Sequence, residues 1–127
     1  MKQRTMSISQ IRTVAIPASD QERSLAFYTE VLGFEKTVDA PFGPGQRWIE
    51  VAPPGGGATL AIPPPGDARP GIDTGIRFET ADAEADHEAL KASGADVDSE
   101  ILRFPGVPPM FTFRDPDGNR LYVVERM

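Results

Sequence analysis

The spacing of hydrophobic positions along this chain changes several times, and each change marks an element. Residues 11–16 run Ile-Arg-Thr-Val-Ala-Ile, a short apolar stretch that Pro17 ends, and the pattern predicts a strand. Over residues 19–34 the spacing becomes helical, with Leu25, Tyr28, Val31 and Leu32 on one face. Ser19 or Asp20 can cap the first turn, and Ser19 with Glu22 has capping-box spacing. Gly33 supplies a left-handed cap, and Phe34 folds back on the last turn. Strands follow over residues 34–39, 46–52 and 58–62, separated by the breakers Pro41-Phe-Gly-Pro-Gly45 and Pro53-Pro-Gly-Gly-Gly57. Residues 63–71 hold four prolines and can join neither a helix nor a central strand.

The order then recurs. A strand is predicted over residues 75–79, and a helix from Asp82 to about Ser93, closed by Gly94. Strands at 97–103 and 110–114 flank a loop at 104–109, and the tight turn Asp115-Pro-Asp-Gly118 leads into a last strand at 119–125. Asp20 and Asp82 differ by 62, Val14 and Ile76 by 62, and Gly33 and Gly94 by 61. The chain therefore reads as one domain over 1–127 made of two strand-helix-strand-strand-strand modules, about 8–64 and about 72–127, joined by the proline-rich linker 63–71. Residues 1–9 read as a ragged start.

Composition narrows the function classes. A chain of 127 residues with 25% charged residues suits one domain with a modest core. The net charge of −6, with no basic block, argues against a nucleic-acid partner. The absence of cysteine excludes disulfides, thiolate metal sites and Cys nucleophiles. No apolar run approaches the roughly 20 residues that would span a membrane. The polar start predicts no signal peptide, so a cytoplasmic location is expected by default.

Ser19-Asp20, Ser24-Leu-Ala-Phe-Tyr28, Leu32-Gly-Phe34 and Asp115-Pro-Asp-Gly-Asn119 resemble the vicinal oxygen chelate superfamily, which includes glyoxalase I, extradiol dioxygenases and bleomycin resistance proteins. The resemblance runs from about Ile8 to Glu125. It implies an α+β fold of two βαβββ modules whose curved mixed sheets surround a cavity, and a homodimer in which a second chain completes each cavity. An exposed sheet edge on each module is also consistent with dimerisation. In the metal-dependent members, ligands come from the first and fourth strands of each module. By this resemblance the first-strand histidine falls on Thr13 and its repeat partner on Gly75. The last-strand carboxylate falls on Tyr122 and its repeat partner on Leu60. None of these is His, Asp or Glu, so no cofactor is expected.

The residue inventory points the same way. The one histidine, His87, lies in the polar run Glu84-Ala-Asp-His-Glu88 and reads as a solvated helix residue. A site with two histidines cannot be built within one chain. A carboxylate-only Mg²⁺ or Mn²⁺ site would have to draw on Glu50, Glu79 and Glu125.

Strand alternation supplies a cavity list, because side chains two apart share a face. Thr13, Trp48, Glu50, Arg77 and Tyr122 are the expected ligand-binding residues, an aromatic set with a few charges, as small-molecule sites usually have. Each has a structural alternative. Trp48 could fill the core or a dimer contact. Arg77 and Glu50 could pair across the sheets; otherwise Arg77 suits a carboxylate or phosphate. Tyr122 is either a donor to ligand or a plug. Residues 104–109 form a lid or a stiff connection. Phe111 and Phe113 read as core, and Asp115 and Asp117 as turn residues. Gly55-Gly-Gly57 is no phosphate loop, since no Lys, Ser or Thr follows at the required spacing.

Three functions compete on these grounds. The first is a module that binds a small organic molecule without turning it over. The second is a divalent-metal lyase or dioxygenase with relocated ligands. The third is a metal-free enzyme using Tyr122 or Glu50 as acid or base. Whether the protein is an enzyme is left open by the sequence.

Overall fold

A computed structural model describes residues 5–127. Met1 to Arg4, part of the expected ragged start, lie outside the described residues, and residues 5–12 form neither helix nor strand. Strand β1 (Thr13–Ala15) leads into α1 (Gln21–Ala26) and then β2 (Glu35–Pro41), β3 (Arg47–Ala52) and β4 (Thr59–Ile62). After the linker come β5 (Asp73–Thr80), α2 (Ala83–Ala92), β6 (Asp96–Val97), β7 (Leu102–Phe104), β8 (Val107–Arg114) and β9 (Arg120–Glu125). The first sheet has the order β1-β4-β3-β2, and the second β5-β9-β8-β6 with β7 also on β8. In each sheet the first and last strands of the module run parallel: Ala15 lies opposite Ala61, and Arg77 opposite Tyr122.

The first helix differs from the expected regular helix. Asp20 alone caps it, accepting from the Arg23 N–H at 3.1 Å. The Ser19 hydroxyl turns to Asp117 instead, so the capping box does not form. After Ala26 the backbone widens into a π-helical turn over Phe27–Val31, with the Leu32 N–H reaching the Phe27 carbonyl at 3.2 Å. Ser24, Phe27 and Tyr28, at i, i+3 and i+4, turn into the interior together. Gly33 then takes φ +76°, and the Phe34 N–H returns to the Tyr28 carbonyl.

One core serves both sheets. Ile49, Val51, Leu60 and Ile62 from the first sheet join Phe111, Phe113, Leu121 and Val123 from the second. Helix α1 lies between them. Gln21 donates to the Arg47 and Ile62 carbonyls, and Phe27 and Phe34 pack on Phe113 and Phe78 with ring centroids 6.3 and 5.3 Å apart. The 115–119 turn locks the joint. Asp115 accepts from the Tyr28 hydroxyl at 2.8 Å and from Asn119, and Asn119 donates to the Pro17 carbonyl and accepts from the Gly71 and Ile72 N–H groups.

The expected strand over 97–103 is broken, and the loop over 104–109 is shorter than expected. Asp98 still donates its N–H to the Thr112 carbonyl on β8, but its own carbonyl lies 2.7 Å from His87 Nε2, and the strand pairing resumes at Leu102. Pro105 and Gly106, the latter at φ +77°, then make a tight turn straight into β8. His87 itself is buried, with its ring edge-on to Phe111 at 5.1 Å, not solvated. Its place on α2 looked polar because its neighbours are charged, whereas it shares the inner face with Ala83 and Leu90.

Candidate functional site

Because the sheets share a core on their helix side, their opposite faces turn away from that core. The alternation predicted from sequence puts the candidate residues on these free faces, and the structure places them in two groups. On the first sheet the Trp48 indole N–H donates to Glu50 Oε2 at 2.8 Å, and Thr59 Oγ1 donates to Glu50 Oε1 at 2.6 Å. Thr13 sits next to them on β1, its hydroxyl donating to the Thr59 carbonyl at 3.2 Å. Phe42 leans on the Trp48 ring at 5.4 Å. Strand β3 separates the functions: Ile49 and Val51 enter the core while Trp48 and Glu50 face away.

On the second sheet the Arg77 guanidinium lies over the Tyr122 ring, 4.3 Å from its centroid, and donates to the Gly75 carbonyl. The Tyr122 hydroxyl donates to Asp73 at 2.8 Å. Gly75 takes φ +69° at a break in the β5–β9 register, which lets the strand arch toward its own arginine. The group is open: Arg77 is exposed and Tyr122 half-buried.

The Arg77–Glu50 ion pair considered above is not formed, since each has partners on its own sheet. The repeat partner of Tyr122 also needs correction. Leu60 faces the core at 3% exposure. The ladders equate Ala15–Ala61 with Arg77–Tyr122, so the matching position is Ala61, an offset of 61 and not the 62 that relates Thr13 to Gly75. The shorter second module shifts the count by one, and in a strand one residue reverses the face. The free-face positions are thus Thr13, Ala61, Gly75 and Tyr122.

The electrostatics follow from these contacts. Hydrogen bonds from Thr59 and then Trp48 hold the Glu50 carboxyl below its usual range, outweighing the burial that pushes the other way. Glu50 is therefore an ionised acceptor at neutral pH, a setting that makes it a weak base and a poor proton donor. The Tyr122 hydroxyl and the Gly75 N–H likewise lower the pKa of Asp73. Glu79 pairs with Arg126 at 3.0 Å and Glu125 accepts from the Ala83 N–H, so Glu50, Glu79 and Glu125 are held apart by separate partners. Among the described residues no three His, Asp or Glu side chains are grouped to hold a metal ion. Among them, too, no helix is long and apolar enough to cross a membrane.

Sequence reasoning missed Thr59, whose hydroxyl fixes Glu50, and Asp73, which fixes Tyr122. A signal existed for both: each lies one strand across from a named residue and carries a short polar side chain on the same face.

Comparison with known proteins places this geometry. The glyoxalase/bleomycin resistance protein/dioxygenase superfamily model matches residues 10–123. The uncharacterised protein YetH of Bacillus subtilis (strain 168) is 36% identical over 117 residues, covering 88% of this chain and 94% of that protein. A crystal structure of a superfamily member from Sphaerobacter thermophilus DSM 20745 superposes with a TM-score of 0.88 at 33% identity, covering 95% of this chain and 100% of that one. TnmS3, an antibiotic binding protein from Streptomyces sp. CB03234, superposes with a TM-score of 0.79 at 33% identity, covering 97% of this chain and 100% of that one. With two βαβββ modules and a family match across nearly its whole length, the chain belongs to the glyoxalase/bleomycin resistance protein/dioxygenase superfamily.

Proposed function

We propose that this protein binds a small organic molecule on the free faces of its sheets and releases it unchanged. The observation that carries the reading is the state of Glu50. A carboxylate only 7% exposed is held ionised by Thr59 and Trp48, which fixes the indole ring as a rigid wall. The Arg77–Tyr122 stack on the second sheet offers a second flat surface with donors to spare. Side chains locked by their own partners favour recognition over proton transfer. Similarity to an antibiotic binding protein at 33% identity supports the same class of ligand.

In the same reading the metal seats of the family are replaced. Thr13, Ala61, Gly75 and Tyr122 include no imidazole and no carboxylate, so these positions do not fit a divalent ion. The two free faces point away from a common core, so a second copy of the chain is the natural means of bringing a Trp48 group opposite an Arg77 group. The net charge of −6 favours a cationic ligand.

Metal-free bleomycin, a basic and partly aromatic antibiotic, is the first probe. Equilibrium dialysis followed by mass spectrometry should show saturable binding, recovery of unaltered bleomycin, and at least tenfold weaker binding in Trp48→Ala. Other basic aromatic antibiotics form the second panel. Chemical alteration of a bound compound would refute the reading, as would a panel in which nothing binds saturably.

A further inference from the structure

A second cavity lies on the helix side, away from the free faces. It is a cleft of about 790 Å³ between the modules, inside the range of roughly 300–1,000 Å³ usual for small-molecule sites. Val14 and Leu60 form one wall, Ile76 and Phe78 the other, and Leu90 and Phe113 the floor. Of the first site's residues only Arg77 reaches its mouth; Thr13, Trp48, Glu50 and Tyr122 take no part in it. Protein interiors normally close such gaps between apolar side chains, because every unfilled contact forfeits dispersion energy. Here α1 and the 115–119 turn tie the modules together, and Val14 of β1 and Ile76 of β5 both line the gap that is left.

We propose that this cleft is a second binding site, and that its occupant is an uncharged, mainly apolar organic molecule of one or a few rings. The walls point to that chemistry. They are sheltered and apolar: Val14, Ile76 and Phe78 are half-buried, and Leu60, Leu90 and Phe113 are buried. A second protein chain would instead seek protruding apolar side chains; of these the cleft has only Val31 at its rim, while the most exposed, Ile8, Ile11 and Phe104, lie elsewhere. The charges at the mouth are exposed: Arg126 pairs with Glu79 at 3.0 Å, Arg77 lies over the Tyr122 ring, and Asp86 sits on the surface of α2. An ionic ligand would find no buried counter-charge and would lose its hydration. The loop Pro53-Pro-Gly-Gly56 closes the opposite end, and the glycine at φ +82° lets its backbone bend over the opening.

The test uses N-phenyl-1-naphthylamine, a neutral two-ring dye that brightens in apolar surroundings, with the full chain. Ala89, exposed on α2 at the cleft's edge, is replaced by Trp to fill the space without disturbing the core. We expect saturable enhancement for the wild type, at least tenfold weaker binding for Ala89→Trp, and less than twofold change for Trp48→Phe and Tyr122→Ala. Bleomycin binding should be the same in Ala89→Trp as in the wild type. No saturable enhancement would overturn the proposal, as would dye binding that Ala89→Trp leaves intact. Dye binding abolished by Trp48→Phe or Tyr122→Ala would move the dye to the free faces and overturn it while sparing the first site. Sedimentation of both forms covers the last case: a dimer lost in Ala89→Trp would mean that a second copy fills the cleft, and the proposal fails.

Discussion

Replacing Tyr28 with Phe tests the joint between the modules. The ring is wholly buried in contact with Phe27 and Phe34, so the substitution leaves packing nearly untouched and removes one hydroxyl. That hydroxyl donates to Asp115 at 2.8 Å, and Asp115 is itself only 4% exposed. A hydrogen bond to a charged group contributes about 1.5–3 kcal/mol, and the burial of both partners keeps bulk solvent from replacing it. For a domain of this size each kcal/mol corresponds to roughly 3–5 °C, so Tm should fall by about 5–15 °C. Burial, and then Asp115, push the Tyr28 pKa far above the usual tyrosine value of 10.0. The sign follows from linkage. Below about pH 10 neither state ionises and the contribution is complete; above it the unfolded chain loses a proton that the folded chain keeps, so stability falls by about 1.4 kcal/mol per pH unit. Urea unfolding followed by circular dichroism at pH 7, 9 and 11 reads both effects. Tyr28→Phe should be less stable than wild type at pH 7, and it should lack this residue's share of the alkaline loss. A difference under about 0.5 kcal/mol at pH 7, where the bond should count for 1.5–3, would refute the assignment of Tyr28–Asp115 as the lock.

Other expectations can be checked alongside. Asn119→Ala should cost at least about 3 kcal/mol in the same unfolding assay, because the Gly71 and Ile72 N–H groups and the Pro17 carbonyl lose their partner together. Gly118→Ala should cost about 1–2 kcal/mol, since Gly118 holds φ +80° in the tight turn. Acid titration of Trp48 emission should show a midpoint below the ordinary glutamate value: Glu50 has a lowered pKa, so its hold on the indole is complete above about pH 4.3 and lost as pH falls through the lower folded value. Glu50→Gln should abolish that transition.

The fold was legible in the sequence because its signals are local. Asp20, Gly33, Asp82 and Gly94 sit at helix ends, and the alternation in residues 46–52 and 119–125 separates core from free face without any tertiary information. The errors arose where a distant contact overrode the local pattern. His87 reads as solvated because its neighbours are charged, but the Asp98 carbonyl and Phe111 draw it inward. Ser19 has capping-box spacing, but Asp117, 98 positions away, takes its hydroxyl. Leu60 was placed on the wrong face by a repeat offset one residue too long, an error visible only in the ladder. The candidate site was read as a list of residues and not as an arrangement, because sequence alternation says which face a side chain takes but not which sheet it faces across the gap.

The position of α1 explains why. A helix packed only on its own sheet would leave the modules independent, and their free faces could turn toward each other. This helix instead sends Gln21 to the first sheet and Phe27 and Tyr28 to the second. Two consecutive aromatic rings, Phe27 and Tyr28, make the second engagement, at the start of its π turn. Both sheets are thereby fixed helix side to helix side, and a face that carries recognition groups on one sheet turns away from the other. The same two contacts therefore build the core, hold open the helix-side cleft, and leave Trp48 and Tyr122 on separate outward surfaces. Loosening the joint at Tyr28 should disturb both surfaces and the cleft together, whereas changes at Trp48 or Ala89 should each act on one.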